Sequence, residues 1–490
     1  MGKPNDIADW ALAEFGASDL GDARLNARLV KLARQLGQRP EASLPGALQD
    51  RAALKAAYRF FDNADVAHEK ILASHVASSI KRMQGHKTVL AMQDTTFIDY
   101  ATHPHTTGLG PTGAKGNKGA KGAKGNKGNK ATNGGWGMIC HGTLAFSPER
   151  LPLGVLGLRL WAREPDKPKR ATRRQRPIEE KESHKWIDSL HAAATALSPG
   201  RRVVSVADRE SDVYEFFVKA RELGIDLLTR AAWDRNVDGA HGHLFDTLAA
   251  APVIARKKLR LPARKEQPAR VAKLKVRACP VSLHSPLNGT ASGLPPIALW
   301  GVWAYEPNPP AGVEPLDWKL LTTVPVTTNE DAIERLEWYA ARWGIEVWHR
   351  VLKSGCRIEQ RQLETFDRLA RMLTVYAVVA WRILYATMLA RIVPDMSCTA
   401  ILNEDEWQAL YCRIHYRPTP PATAPPLRQA VRWIATLGGF IGRASDGEPG
   451  TQTLWKGFHE LIASTEMYRI MKQHNSSTTK PLATNRKRCG

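Results

Sequence analysis

Three carboxylates in distinctive settings pose the chemical question in this 490-residue chain. Asp94 (AMQDTT) and Asp208 (SVADRESD) each close a short apolar run of strand length, and Glu346 lies in the helical stretch EWYAARWGIEVWHRVLK. Carboxylates at the ends of neighbouring strands repel one another unless a cation lies between them, and a hard divalent ion such as Mg2+ takes oxygen ligands of this kind. In the helical stretch, Tyr339, Arg342, Glu346 and Lys353 fall at about 0°, 300°, 340° and 320° on a helical wheel. One narrow stripe therefore offers a phenol, a guanidinium, a carboxylate and an ammonium. Cleavage and rejoining of a phosphodiester needs such a set. Three acids hold two metal ions about 3.5–4 Å apart, one activating water or a 3′-hydroxyl and the other steadying the leaving oxygen. Cations beside the acids grip the flanking phosphates, an arginine in bidentate fashion. Two plainer readings stay open at this point: an aspartate after a strand also starts turns and caps helices, and a solvated helix face is also polar along one side.

The elements that must position these groups can be read from patterning. Thr88–Asp94, Met138–Phe146, Leu153–Trp161, Val203–Asp208 and Ile225–Arg230 read as strands, the second and third as a hairpin around SPERLP. Helical patterns cover about 178–197 and 212–223, and one long helix runs from about Asp331 to Lys353. A β-leaning stretch, about 236–327, precedes that helix. This is a mixed α/β sheet with a β-rich insertion. Residues 1–80 read as helices. In one of them, capped by Asp19 or Asp22 and ending near Leu36, Arg24, Arg28 and Lys31 share a face opposite a leucine stripe. Met372–Val393 is apolar but interrupted by Arg382 and Arg391, so it reads as a core helix rather than a membrane span. RPTPPATAPP (417–426) reads as a linker to a C-terminal helical segment.

Composition narrows the function classes. Lys and Arg number 70 against 48 Asp and Glu, a net charge of +22, with 43% apolar residues. That is globular material with an excess of positive charge suited to a polyanionic partner, nucleic acid first. Six Gly-x-Lys repeats at 113–130 read as a flexible basic loop, yet their lysines supply only six of the 22 charges. A second basic run (167–176) also reads as a loop. Six scattered cysteines without a CxxC pair give no disulfide framework, and Cys398, Cys412 and His415 make at best a weak zinc set. MGKPNDIADW has neither a signal-peptide core nor a myristoylation pattern.

Taken with QDTT at Asp94 and ADRESD at Asp208, the spacing Y-x2-R-x3-E-x6-K formed by Tyr339, Arg342, Glu346 and Lys353 resembles the DDE transposases of bacterial cut-and-paste insertion elements. More narrowly, it resembles their branch marked by the YREK signature. LGDARLNARLVKLARQL and AAYRFFDN resemble that family's end-binding domain, and LGGFIG and LWKGFHEL its dimerisation segment. The resemblance implies a ribonuclease-H-like core interrupted by a β insertion. It divides the chain into an end-binding domain (1–80), a catalytic core (81–370, insertion at about 236–327) and a C-terminal dimerisation region (371–490). It implies Asp94, Asp208 and Glu346 as catalytic metal ligands for two Mg2+, with Mn2+ as substitute, and Tyr339, Arg342 and Lys353 as DNA contacts. Trp318 (LDWKLLTT) and Trp343 match aromatics beside the DNA end, Arg230 and Arg235 (LLTRAAWDR) a pair near the active site, and Arg24 and Arg28 end-binding arginines. The implied partners are double-stranded DNA, as element ends and target, and a second copy of the chain, with no membrane. The implied location is the bacterial cytoplasm, at the nucleoid. The rivals are another ribonuclease-H-like nuclease, which has no reason to carry the YREK stripe, and a non-catalytic DNA-binding protein, which would have no reason to keep all three acids.

Overall fold

A computed structural model of the chain describes residues 9–115, 134–165, 176–261, 269–443 and 445–478. Five helices open it: α1 (Trp10–Phe15), α2 (Ala23–Gln38), α3 (Leu44–Leu48), α4 (Arg51–Asp62) and α5 (His68–Arg82). Asp22 begins α2 by accepting the Arg24 N–H at 2.7 Å, satisfying a donor that the first turn leaves free. Strands β1 (Thr88–Asp99), β2 (Gly110–Lys115), β3 (Gly134–Phe146) and β4 (Pro152–Trp161) follow. Then come α6 (His184–Ala194), β5 (Arg202–Ala207), α7 (Tyr214–Glu222), β6 (Asp226–Arg230), α8 (Leu244–Ala250), β7 (Val253–Leu261), β8 (Arg270–Leu283), β9 (Ile297–Tyr305) and β10 (Asp317–Thr322). The last helices are α9 (Asn329–Ala341), α10 (Trp343–Arg350), α11 (Phe366–Ile392), α12 (Glu404–His415), α13 (Leu427–Leu437) and α14 (Thr451–Thr478).

The strands form one sheet in the order β2-β3-β1-β5-β6-β10-β9-β8-β7, with β4 also on β3. β1 is antiparallel to β3 and parallel to β5, which is parallel to β6, giving the mixed centre expected of a ribonuclease-H-like core. Alternation sorts the strand residues onto two faces. Leu90, Met92, Val204, Val206, Leu228 and Leu320 meet α9, α10 and α11 through Leu336, Ile345, Trp348 and Leu373. Val89, Ala91, Val203, Ala207, Leu227 and Leu321 meet Trp186 of α6 and Phe216 of α7. The apolar α11 is a core helix as expected, with 83% of its most apolar window buried. Its C-terminal half joins α12–α14 through Leu389, Trp407, Ile434 and Phe458.

Three expectations need correction. Asp94 does not end a strand: β1 runs on to Asp99, paired with β3 throughout, and only its parallel partner β5 stops. The helix from Asp331 to Lys353 is not continuous. α9 ends at Ala341, α10 starts at Trp343, and Val351–Gly355 widens into a π-helical turn. The proline-rich segment is no free linker either, since the Cys398 N–H donates to the Pro425 carbonyl at 3.0 Å. The β-rich insertion extends the central sheet, because β10 pairs β6. Residues 116–130 of the Gly-x-Lys tract and 167–175 of the second basic run lie outside the described residues.

Candidate active site

The site begins with strand register. β1 and β5 pair in parallel up to Met92↔Val206, and the same offset carried two residues on sets Asp94 beside Asp208, on strands about 4.8 Å apart. β5 stops there because Asp208 turns to accept the Glu210 N–H at 2.9 Å, capping a short 3-10 turn. The opposite neighbour of Asp94 is Gly142 on β3. A Cβ there would lie 2.9 Å from the Trp348 ring, and one on Gly344 would lie 2.8 Å from Phe146. These two glycines let α10 settle close onto β1 and β3. Trp348 is fully buried and donates its Nε1–H to the Ala377 carbonyl at 2.9 Å, an anchor of a size whose truncation costs about 3–5 kcal/mol. Flanking bonds stiffen the strand around Asp94: Gln93 donates to Ser205 Oγ at 2.6 Å, and Thr95 Oγ1 lies 2.8 Å from His141 Nδ1.

Over this floor the break at Arg342 turns its guanidinium inward. Nη2 lies 2.9 Å from Glu346 Oε1 and Nη1 lies 3.8 Å from Asp94 Oδ1. Burial raises the Asp94 carboxyl to about 7; Arg342 opposes the rise, and the charges of Asp208 and Glu346 add to it. Burial also raises Asp208, again against Arg342. Burial pulls Arg342 down, but Asp94, Tyr339, Glu346 and Asp208 together carry it above its ordinary value. Asp94, Asp208 and Glu346 thus share one cation, and the charges of Asp208 and Glu346 add to the hold of Asp94 on its proton. Among the described residues, no three His, Cys, Asp or Glu side chains enclose a single point as they stand. Glu346 is bonded to Arg342 and Asp208 caps its own turn. The donor set itself, three carboxylates round a buried guanidinium, suits a hard divalent cation.

A second group sits beside the acids. On β10 the Trp318 ring meets the Tyr339 ring at 5.0 Å and 73°, edge to face, and the Arg342 guanidinium lies 5.9 Å from the centre of the Tyr339 ring. Arg230, opposite Leu320 in the sheet, donates to the Asp317 carbonyl at 2.9 Å and is close enough to Tyr339 to lower its phenol, which burial raises overall. Seven of the sequence candidates therefore gather: Asp94, Asp208, Glu346, Arg342, Tyr339, Trp318 and Arg230. Trp343 follows at the start of α10, partly buried.

Four others lie elsewhere. Lys353 rides the π turn, donates to the Phe97 carbonyl and pairs with Glu359 at 3.3 Å, farther along β1 than the wheel placed it. Arg235 is committed to the fully buried Asp212 at 2.7 Å, and Asp212 also accepts the Ala232 and Trp233 N–H groups. Arg235 thus holds the loop after β6 instead of facing outward. Arg24, its side chain 92% exposed and paired with Asp22, and Arg28 lie on α2, whose main neighbours are α1, α3, α4, α11 and α14.

Two groups escaped the sequence reading. His349 is buried, its Nδ1 lies 3.6 Å from Asp94 Oδ2, and burial with Lys353 and Arg342 lowers it to about 3, so it is neutral. It stands three residues after Glu346, on the stripe already drawn, and that spacing could have found it. Lys185, buried at the start of α6, pairs with Glu210 at 3.3 Å and its charge reaches Asp208. Nothing in the sequence near it marks that role.

Comparison with known families gives three matches in chain order. Residues 7–66 match the family described as Transposase DNA-binding, 179–381 the Transposase DDE domain, and 378–478 the Transposase Tn5 dimerisation domain. The DDE match contains Asp208 and Glu346 and starts after Asp94, so Asp94 joins them through the register of β1 and β5.

Proposed function

Since this chain is a DDE transposase with its own DNA-binding and dimerisation domains, we propose that Asp94, Asp208 and Glu346 are its catalytic carboxylates and that it belongs to the YREK branch. The observation that supports this reading is the Arg342 guanidinium lying 2.9 Å from Glu346 and 3.8 Å from Asp94, with Asp208 set beside Asp94 by the β1–β5 register. DDE domains act with divalent metal ions, and here the three carboxylates would hold two Mg2+, with Mn2+ able to substitute. When bound, the ions supply Lewis acidity at the attacking and leaving oxygens. Arg342, released from Glu346, grips a phosphate beside the scissile bond and Arg230 a neighbouring one, while Lys353, farther along β1, holds a phosphate more distant from the scissile bond. Water attacks first and frees a 3′-hydroxyl, which attacks the opposite strand to leave a hairpin. A second water hydrolyses the hairpin and frees the same 3′-hydroxyl, which then attacks target DNA. Arg24 and Arg28 contact the terminal inverted repeats, and the protein works at the nucleoid of a bacterial cell.

Trp318 and Tyr339 form the stacking surface for a base turned out at the hairpin tip, with Trp343 beside it. Loss of one such stack is worth about 1–3 kcal/mol. Trp318→Ala is therefore expected to lower hairpin yield by about 5- to 150-fold while first-strand nicking stays near wild type, both read on a denaturing gel. Equal loss at both steps would remove Trp318 from the hairpin role.

Pairing of two copies is carried by the C-terminal domain. On α14, Met467, Ile470 and Met471 are 58%, 61% and 53% exposed, an apolar stripe at helical spacing. Ile470→Glu is expected to abolish the two-end complex and leave single-end binding intact in a gel-shift assay. An unchanged two-end complex would place the dimer contact elsewhere.

The wild-type protein, given Mg2+ and DNA carrying the gene's flanking repeats, should nick and form hairpins. Repeat binding without cleavage would favour the non-catalytic reading.

A further inference from the structure

The strand pair at the far edge of the sheet carries charge that the site does not use. In the β7–β8 ribbon, Arg256 stands opposite Lys275 and Lys258 opposite Lys273. Like charges directly across a strand pair destabilise it. Among the described residues no carboxylate pairs with Arg256, Lys258, Arg260, Lys273 or Lys275. The other face of the ribbon is ordinary core: Ala272, Leu274 and Val276 are at most 3% exposed, and Lys257 pairs with Glu337 of α9. All the unpaired cations therefore fall on the outward face, where Arg256, Lys258, Arg260 and Lys273 are exposed.

The ribbon is also the open end of the sheet. β9 pairs β8 only as far as Tyr305↔Lys275, so the segment beyond is two strands wide. At its base the Trp303 and Tyr305 rings lie 4.5 Å apart, with the Arg277 guanidinium 6.0 and 5.7 Å from their centres. Cations recurring about every 6.7 Å along each strand meet a polymer with about one charge per 1.7 Å of axis. Lysine and arginine rows of this kind hold phosphates and carry little sequence information. The N-terminal helices sit at the opposite edge, where α5 packs on β4.

We propose that the outward face of the β7–β8 ribbon is a second, sequence-independent duplex-binding surface, and that its occupant is the target DNA. An element end has to be recognised, whereas a target has to be tolerated, and this face is built for tolerance. The duplex contact stands on the charge arrangement alone; the identity of the duplex rests on the transposase reading.

The test uses the full-length chain and Lys258→Glu/Lys273→Glu, with a fluorescent duplex lacking the repeats titrated across a salt series. Two lost phosphate contacts should make the slope of log K against log salt shallower by about 1.8 and weaken binding about tenfold. Lys258→Gln/Lys273→Gln removes the cross-strand repulsion and should lose the same slope with the melting temperature unchanged or higher, whereas the Glu pair keeps two like charges opposed. With element-end DNA, hairpin formation should stay within about twofold of wild type, while transfer into a plasmid falls about tenfold. Unchanged affinity and slope would overturn the duplex contact. A fall in hairpin formation equal to the fall in transfer would overturn the target assignment in favour of donor DNA. A wild-type protein that forms no hairpin would instead strike the catalytic reading, leaving the binding result to stand by itself.

Discussion

Glu346→Ala is expected to reduce strand cleavage at the element end by at least about a thousandfold, the equivalent of about 4 kcal/mol of transition-state stabilisation. Glu346 is the carboxylate that α10 brings to the pair on the sheet, and it is the direct partner of Arg342 at 2.9 Å. Its removal takes away an oxygen ligand and leaves Arg342 facing only Asp94 and Asp208. The side chain is about one-third exposed, so the fold should survive. End binding by the N-terminal domain, measured by gel shift, should be unchanged and so separates lost chemistry from lost structure. A variant that cleaves as fast as wild type would end the three-carboxylate reading.

Asp94→Asn is expected to abolish cleavage as well, yet to stabilise the metal-free protein. The Asp94 carboxyl stands at about 7 in the fold against an ordinary 3.8. The folded state therefore keeps its proton at pH values where the unfolded chain has lost it, and stability falls as pH rises. This group's contribution is complete below about 3.8 and is lost progressively up through about 7, a cost on the order of 4 kcal/mol at pH 8. Asparagine carries no charge and removes that cost. The difference in melting temperature between Asp94→Asn and wild type should widen by a few degrees between pH 5.5 and 8. His349, present in both proteins, makes stability fall in the opposite direction, as pH drops below about 6.5. Adding Mg2+ at pH 8 should raise the wild-type melting temperature and leave the variant nearly unmoved. A difference flat with pH would mean that Asp94 is not buried beside the other acids as the geometry requires.

The second of these effects could not have been drawn from the sequence. Asp94 reads there as a residue ending a strand, because the apolar run stops at that point. It lies mid-strand because β3 continues to pair with β1 out to Asp99 while β5 turns away at Asp208. The helical wheel placed Tyr339, Arg342 and Glu346 correctly on one stripe, since their spacing spans little more than a turn on each side of the break. It misplaced Lys353, because the π turn at Val351–Gly355 shifts everything after it. Arg235 matched a pattern in sequence but is held by Asp212, a contact no spacing rule predicts.

The sequence by itself determined what is local or additive: strands and helices from apolar periodicity, the order of the three acids, the Tyr–Arg–Glu stripe and a charge that calls for a polyanion. The tertiary structure alone decided which groups share an environment. Glycines at 142 and 344 admit α10 to the sheet, Arg342 is surrounded by carboxylates, His349 is set against Asp94, and like charges face each other across β7 and β8. The reason is that periodicity is written in neighbouring residues, whereas proton affinity and charge pairing depend on strand register and burial, which join residues far apart in the chain.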